Sequence, residues 1–207
     1  MEYKTVKKEA SAAFIERRSE FIGYIKPVQT EEEAVSFINE IRSRHHDATH
    51  NVYAYIIRYN NIRRYSDDGE PQGTAGMPVL DVLQKEGLTD VVIVVTRYFG
   101  GILLGGGGLV RAYSRGAKVA VDAAGIALMK KAFRAEIEVP YAFFSSLQRE
   151  IAKHGGSIEN TEFTDNVLIK FLIPIDELEK FNISIKDTSS GQYVAKIIGE
   201  TYQAEDI

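Results

Sequence analysis

The residues best suited to chemistry fall in two runs. The first, Ser66-Asp67-Asp68-Gly69-Glu70-Pro71, places three acids within four positions. The second begins Thr96-Arg97-Tyr98-Phe99-Gly100-Gly101, continues through Gly105, Gly106, Gly107 and Gly108, and ends at Leu109-Val110-Arg111. A valine run precedes these glycines and an amphipathic segment follows them, so they form a strand-to-helix corner. The first amides of a helix lack intrahelical acceptors, and the helix dipole adds partial positive charge; a bare glycine backbone lets an anion approach. Arg97 at the end of the strand and Arg111 in the first helical turn are expected to close on the same phosphate or carboxylate. The competing reading is a tight glycine-packed corner that holds no ligand. A Walker loop is excluded because no Gly-Lys-Ser/Thr follows, and the spacing does not match the dinucleotide G-x-G-x-x-G.

Asp67, Asp68 and Glu70 can hold a divalent metal, move a proton, or pair with Arg97 and Arg111. The run lacks the alternating oxygen ligands of a calcium loop, which favours pairing or a solvated turn. Metal-bridged phosphates would use both the acids and the glycine loop. His45, His46 and His50 do not follow the H-E-x-x-H order, and Asp47, Thr49 and Asn51 around them read as a turn, so no metal site is assigned. His50, close to the loop, is a candidate hydrogen-bond partner for a ligand. Tyr98, with Phe99 and Tyr113, interleaves with the arginines, a mixture that can stack bases while touching phosphate, or that simply packs. Ser66 and Ser114 lack a nucleophile elbow. No catalytic residue and no cofactor are assigned.

Local patterns supply the elements that hold these groups. Residues 11–28 read as extended. Thr30 and Glu33 form a capping box ahead of a helix over 31–43, with Ala34, Ile38 and Ile41 on one face. A strand over 51–59 returns through 62–65 as a hairpin. A helix over 75–85 tolerates Pro78 in its first turn. Val91-Val92-Ile93-Val94-Val95 is apolar on both sides and reads as a strand covered on both faces. The helix from Leu109 carries small residues on its inner face and stops at Gly125. Lys130, Lys131 and Arg134 read as a basic connector, with a domain boundary after it. Residues 1–134 form one domain and 135–207 another, in which strands and helices alternate as a ferredoxin-like βαββαβ sandwich.

Whole-chain numbers bound the class. The chain has 207 residues, 44% hydrophobic and 26% charged, with no cysteine, so disulfides and thiolate chemistry are excluded. The start is charged, and no segment has the length and apolarity of a membrane span, so a cytoplasmic protein is expected. Residues 1–135 carry 19 basic and 16 acidic groups, a net of +3, against 6 and 13, a net of -7, in the remainder. Polyanion binding must therefore be local to the first part.

The two runs, with Gly73-Thr74-Ala75-Gly76 and Gly107-Gly108-Leu109-Val110-Arg111-Ala112-Tyr113, resemble the hallmark motifs of the YigZ/IMPACT family, and the resemblance spans the whole chain. One departure is Leu103, where family members often carry lysine; Gly106, often Thr or Ala there, keeps the character of the loop. The resemblance implies a two-domain α+β and α/β protein. Its first domain is an α/β sandwich like the second domain of a small-subunit ribosomal protein, domain IV of elongation factor G and GHMP kinases. Its second domain is similar to domain V of elongation factor G. Eukaryotic relatives are implicated in translational control, through the co-activator of a starvation-response kinase. The expected function is a non-catalytic factor in translation or its regulation, binding RNA or a ribosome-associated protein through the glycine-loop face. Two alternatives stand beside it: an enzyme that binds a nucleotide or other phosphate-containing small ligand, using the loop and the acidic turn, and a protein-protein adaptor in stress regulation.

Overall fold

The computed structural model describes residues 2–205. It divides into two compact units, Tyr3–Leu128 and Met129–Glu205 with Glu2. The first contains β1 (Tyr3–Val6), β2 (Ala10–Glu16), β3 (Ser19–Pro27), α1 (Glu31–Arg44), β4 (His50–Ile57), β5 (Ile62–Ser66), α2 (Gly76–Lys85), β6 (Val91–Tyr98) and α3 (Gly106–Ala124). Strand β7 (Ile126–Val139) begins in the first unit and continues into the second, followed by α4 (Tyr141–Lys153), β8 (Ser157–Phe163), β9 (Val167–Pro174), α5 (Leu178–Thr188) and β10 (Lys196–Glu205).

The first unit is a sheet in the order β2-β3-β6-β4-β5, with antiparallel neighbours throughout. Residues alternate faces along a strand, and β6 uses both. Val91, Ile93 and Val95 join a core with Leu80, Leu109, Tyr113 and Ala120 on the α2 and α3 side. Val92 and Val94 join Ala34, Phe37, Ile38 and Ile41 of α1 on the other. Helices on both faces explain a valine run buried throughout within an antiparallel sheet. Helix α3 lies close to the sheet because both contact surfaces are glycine: a Cβ on Gly23 would stand 2.3 Å from the Gly116 carbonyl oxygen.

Helix α1 starts as its spacing predicts, with the Glu33 amide donating to Thr30 Oγ1 at 3.2 Å. The reciprocal bond reaches one residue further back than expected, from the Gln29 amide to Glu33 Oε2 at 2.7 Å. Helix α2 has no side-chain cap from its N-cap residue, Ala75. Asp67 supplies the cap from a distance: its carboxylate accepts the amides of Gly73, Ala75 and Gly76 at 2.9, 3.1 and 2.8 Å. Asp67→Ala is expected to lower stability by about 2 kcal/mol, the upper end of the range for losing a cap. Chemical denaturation measures this, and a loss below about 0.5 kcal/mol would contradict the assignment.

The second unit has the expected order βαββαβ, with β7 pairing to β9 and β10 and β9 pairing to β8. Its core gathers Ile137, Leu147, Ile151, Ile169, Phe171 and Phe181. The expected basic connector is instead part of β7, a continuous strand that also contains the position expected to divide the domains. Two of its three charges are paired along the sheet: Arg134 makes two hydrogen bonds to Glu159, at 2.7 and 2.9 Å, and Lys130 holds Glu205. Among the described residues, no helix is long and apolar enough to cross a membrane.

Candidate functional site

The acidic turn and the glycine corner both lie in the first unit, and its fold brings them together. The turn reverses sharply through left-handed backbone at Asp68 (φ 46°) and Gly69 (φ 89°). Its three acids consequently leave in three directions. Asp67 caps α2. Asp68 accepts Arg42 Nη2 of α1 and the Asn51 amide of β4, both at 2.6 Å. Glu70 turns inward, where Oε1 accepts Arg97 Nη1 at 2.6 Å and the Tyr113 hydroxyl at 2.8 Å. The acids therefore do not converge on a metal. Among the described residues no group of three or more His, Cys, Asp or Glu is placed to hold one.

Arg97 differs most from the sequence expectation. Its side chain is 6% exposed and that of Glu70 4%. The guanidinium lies 5.5 Å from the ring centres of both Phe21 and Phe99, and its Nε is buried without a hydrogen-bond partner. Tyr113, a candidate stacking group by sequence, is fully buried. Burial and the neighbouring Glu70 carboxylate push its phenol far above the ordinary value, so it stays a neutral donor.

Arg111 behaves oppositely. It is exposed and among the described residues has no acidic partner. Its guanidinium lies over the first turn of α3, with Nη1 3.9 Å from where a Cβ on Gly107 would stand. The amides of Gly106, Gly107 and Gly108 form that turn, with no side-chain cap at Gly105 and no acid nearby in the helix. Gly105 itself has φ 70°, which only glycine adopts without strain. The two arginines expected to meet on one anion thus face different cavities.

The cavity beside Arg111 has a volume of about 180 Å³ and is lined by Arg17, Arg111 and Arg115 with Leu104, Gly108 and Glu16. Arg17 belongs to the β2–β3 turn, against which the corner is packed: a Cβ on Gly100 would stand 2.0 Å from the Arg18 carbonyl oxygen, and the Gly100 amide donates to Ser19 Oγ at 3.1 Å. Among the described residues, Arg115 alone of the three arginines has an acid within 4 Å, Glu16 at 3.7 Å. Arg17 escaped sequence reasoning because only the tertiary pairing of β2 and β3 brings it to the loop, whereas Arg115 stands one helical turn beyond Arg111 on α3, a neighbourhood that spacing alone shows. The cavity beside Arg97 is larger, about 430 Å³, and includes His50, Glu70, Phe99, Leu103, Gly105 and Gly106.

His50 Nδ1 lies 2.7 Å from the Asp68 carbonyl oxygen, and its Nε2 lies 3.8 Å from Glu70 Oε1. Tyr98, expected to stack, is held by its hydroxyl, which donates to Asp47 at 3.0 Å and contacts His45 Nδ1 at 2.8 Å. His45 Nε2 in turn accepts the Tyr24 hydroxyl at 2.6 Å. Desolvation, reinforced by Arg44, lowers the His45 pKa and favours the neutral ring that this chain of bonds requires.

Sequence similarity to known families covers both units. The Impact N-terminal domain matches residues 17–121, and a domain of unknown function, DUF1949, matches residues 137–192. The IMPACT family member YvyE of Bacillus subtilis is 35% identical over 191 residues, 92% of this chain and 88% of that protein. The chain belongs to the IMPACT family. YigZ of Escherichia coli, another IMPACT family member, is 31% identical over 178 residues, covering 84% of this chain and 87% of its own. The similarity to the Protein IMPACT homolog of Dictyostelium discoideum is 40% over 96 residues, 44% of this chain and 27% of that one. A crystal structure of a hypothetical protein, 28% identical, superposes with a TM-score of 0.61 over 95% of this chain and 97% of its own. IMPACT family membership thus accounts for the two-domain architecture, while the chemistry of the corner rests on the geometry above.

Proposed function

We propose that this IMPACT family protein is a cytoplasmic, non-catalytic factor in translation or its regulation that binds RNA through the glycine-loop face of its first unit. The observation that carries this reading is the group of Arg17, Arg111 and Arg115 around one cavity, beside the uncapped first turn of α3. The guanidiniums of Arg17 and Arg111, which have no acidic partner among the described residues, and the helix-start amides both favour phosphate, and neither reads base sequence. Gly105 to Gly108 let a backbone phosphate approach. Phe99 and Leu103, 45% and 81% exposed, present apolar surface next to the loop on which a base can stack or pack. The buried Arg97 contributes by holding Glu70 and fixing the corner, and does not contact phosphate itself. The link to translation rests on the family resemblance.

Titration with a short RNA hairpin at several salt concentrations tests the reading. Binding should weaken as salt rises. Replacing Arg17, Arg111 and Arg115 together by Ala should flatten the dependence of log K on log salt by about two to three, roughly one for each phosphate that is no longer neutralised. Binding with an unchanged slope in the triple variant, or no binding by the parent, rejects it.

A further inference from the structure

The larger cavity adjoins the arginine group across one loop. Leu104 lines both cavities, and Gly106 on this side and Gly108 on the other stand two residues apart on α3, about 3 Å along its axis. The phosphate and the base of one nucleotide can therefore occupy the two.

The polar groups that this cleft leaves open are acceptors. Glu70, its side chain 4% exposed, accepts Arg97 and Tyr113 on the same oxygen, Oε1. Its Oε2 accepts no hydrogen bond among the described residues and is not enclosed, whereas the unpartnered Arg97 Nε is. His50 supplies the second acceptor. A carbonyl oxygen only accepts, so the 2.7 Å contact with Asp68 fixes the proton on Nδ1, and Nε2 of the neutral ring is left with a lone pair. That nitrogen sits 3.8 Å from Glu70 Oε1, too far for a bond. Two neighbouring acceptors thus line one cleft with no protein donor between them, and polar groups held out of water in this way favour a partner.

Charge and shape narrow the partner. Arg97 already balances Glu70 at 2.6 Å, and among the described residues no other acid or base of fixed charge lines the cleft, so its acceptors suit a neutral donor. The opposite wall is apolar: Phe99, 45% exposed, and Leu103, 81% exposed, continue into Leu104 and Leu109. The guanidinium of Arg97 lies 5.5 Å from the centre of the Phe99 ring and steadies it as a platform for stacking. A volume of about 430 Å³ accommodates a nucleoside. Adenine and cytosine carry an amino group, two donors on one nitrogen, where uracil carries a carbonyl oxygen.

We infer that this cleft selects a nucleobase that bears an amino group. The amino hydrogens go to Glu70 Oε2 and His50 Nε2, and the ring lies against Phe99 and Leu103. Uracil is rejected because it turns an oxygen toward the same two acceptors. The inference deepens the RNA reading and rests on it for the phosphate: the base belongs to the nucleotide whose phosphate meets Arg17 and Arg111.

Adenosine and purine riboside, which differ only in the amino group, are the probes, followed by ¹H–¹⁵N NMR of the full chain. Adenosine should shift the His50 ring nitrogens and the Phe99 and Leu103 amides, and should bind at least about tenfold more tightly than purine riboside. Cytidine should exceed uridine in the same way. His50→Leu removes one acceptor and should cut the adenosine preference to about threefold or less, an effect that a purely structural histidine would not produce. Leu103→Ala, at an exposed position that leaves the fold intact, should weaken adenosine and purine riboside alike and preserve their ratio. Short single-stranded oligomers of the two nucleosides carry the test to RNA, with the same tenfold preference expected. The proposal is overturned if adenosine shifts none of these resonances, if it binds no more tightly than purine riboside, or if His50→Leu keeps the full preference. Equal, salt-dependent binding of the two oligomers overturns it as well and leaves the RNA reading standing. Binding of neither oligomer, with adenosine still preferred as a nucleoside, rejects the RNA reading and keeps the base site.

Discussion

Replacing Arg97 by Ala is expected to cost about 3–5 kcal/mol of folding stability, the range for removing one partner of a buried ion pair. The variant leaves the Glu70 carboxylate beneath the sheet with only the Tyr113 hydroxyl and with His50 at 3.8 Å, and deletes a guanidinium that fills the space between Phe21 and Phe99. Urea unfolding measures the loss. A value below about 1 kcal/mol would mean that the pair is exposed in solution, contrary to the geometry. Replacing both members together, Arg97→Met with Glu70→Leu, should recover much of the loss, because no charge is then left unpaired. This second variant separates the electrostatic cause from the packing one.

The second large effect is Gly23→Ala. The new methyl would lie 2.3 Å from the Gly116 carbonyl oxygen and 2.9 Å from Ala120 Cβ, so β3 and α3 must move apart. Overpacking of this kind costs about 3 kcal/mol when backbone has to shift. The damage should spread along α3 to its start, and broadened amide resonances at Gly106 to Gly108 would report it. A stability change within about 0.5 kcal/mol would show that the two elements are less closely packed than described.

Much of this architecture is legible in the sequence because periodicity carries it. The β6 valines are apolar at every position and so require cover on both faces, and the small residues Ala112, Gly116 and Ala120 mark the face of α3 that approaches the sheet. The glycine corner is legible too, since no helix or strand interior tolerates that density. The place of Arg97 is also implicit in the strand: Val91, Ile93 and Val95 face α3, and the same alternation puts Arg97 beneath that helix. An arginine at the strand mouth, free to meet an anion, ignores this parity. Tyr113 follows Leu109 by one helical turn and is buried for the same reason.

The partners of the acids are not legible. Asp67, Asp68 and Glu70 are near neighbours in sequence, but left-handed backbone at Asp68 and Gly69 sends each to a different element. Such a turn gives no periodic signal. Nor does sequence spacing reveal Arg17 beside Arg111 and Arg115, because that grouping exists only once β2 and β3 have paired and α3 has packed across them.

The central functional claim is that phosphate meets the first turn of α3 through the guanidiniums of Arg17 and Arg111, with Arg115 beside them. Mapping amide and arginine Nε–H shifts during titration with a short RNA hairpin tests this most directly. Shifts concentrated at Gly106 to Gly108, Arg17, Arg111 and Arg115, and fading as salt is raised, are the predicted result. Shifts confined to residues 129–205, or unaffected by salt, would contradict it.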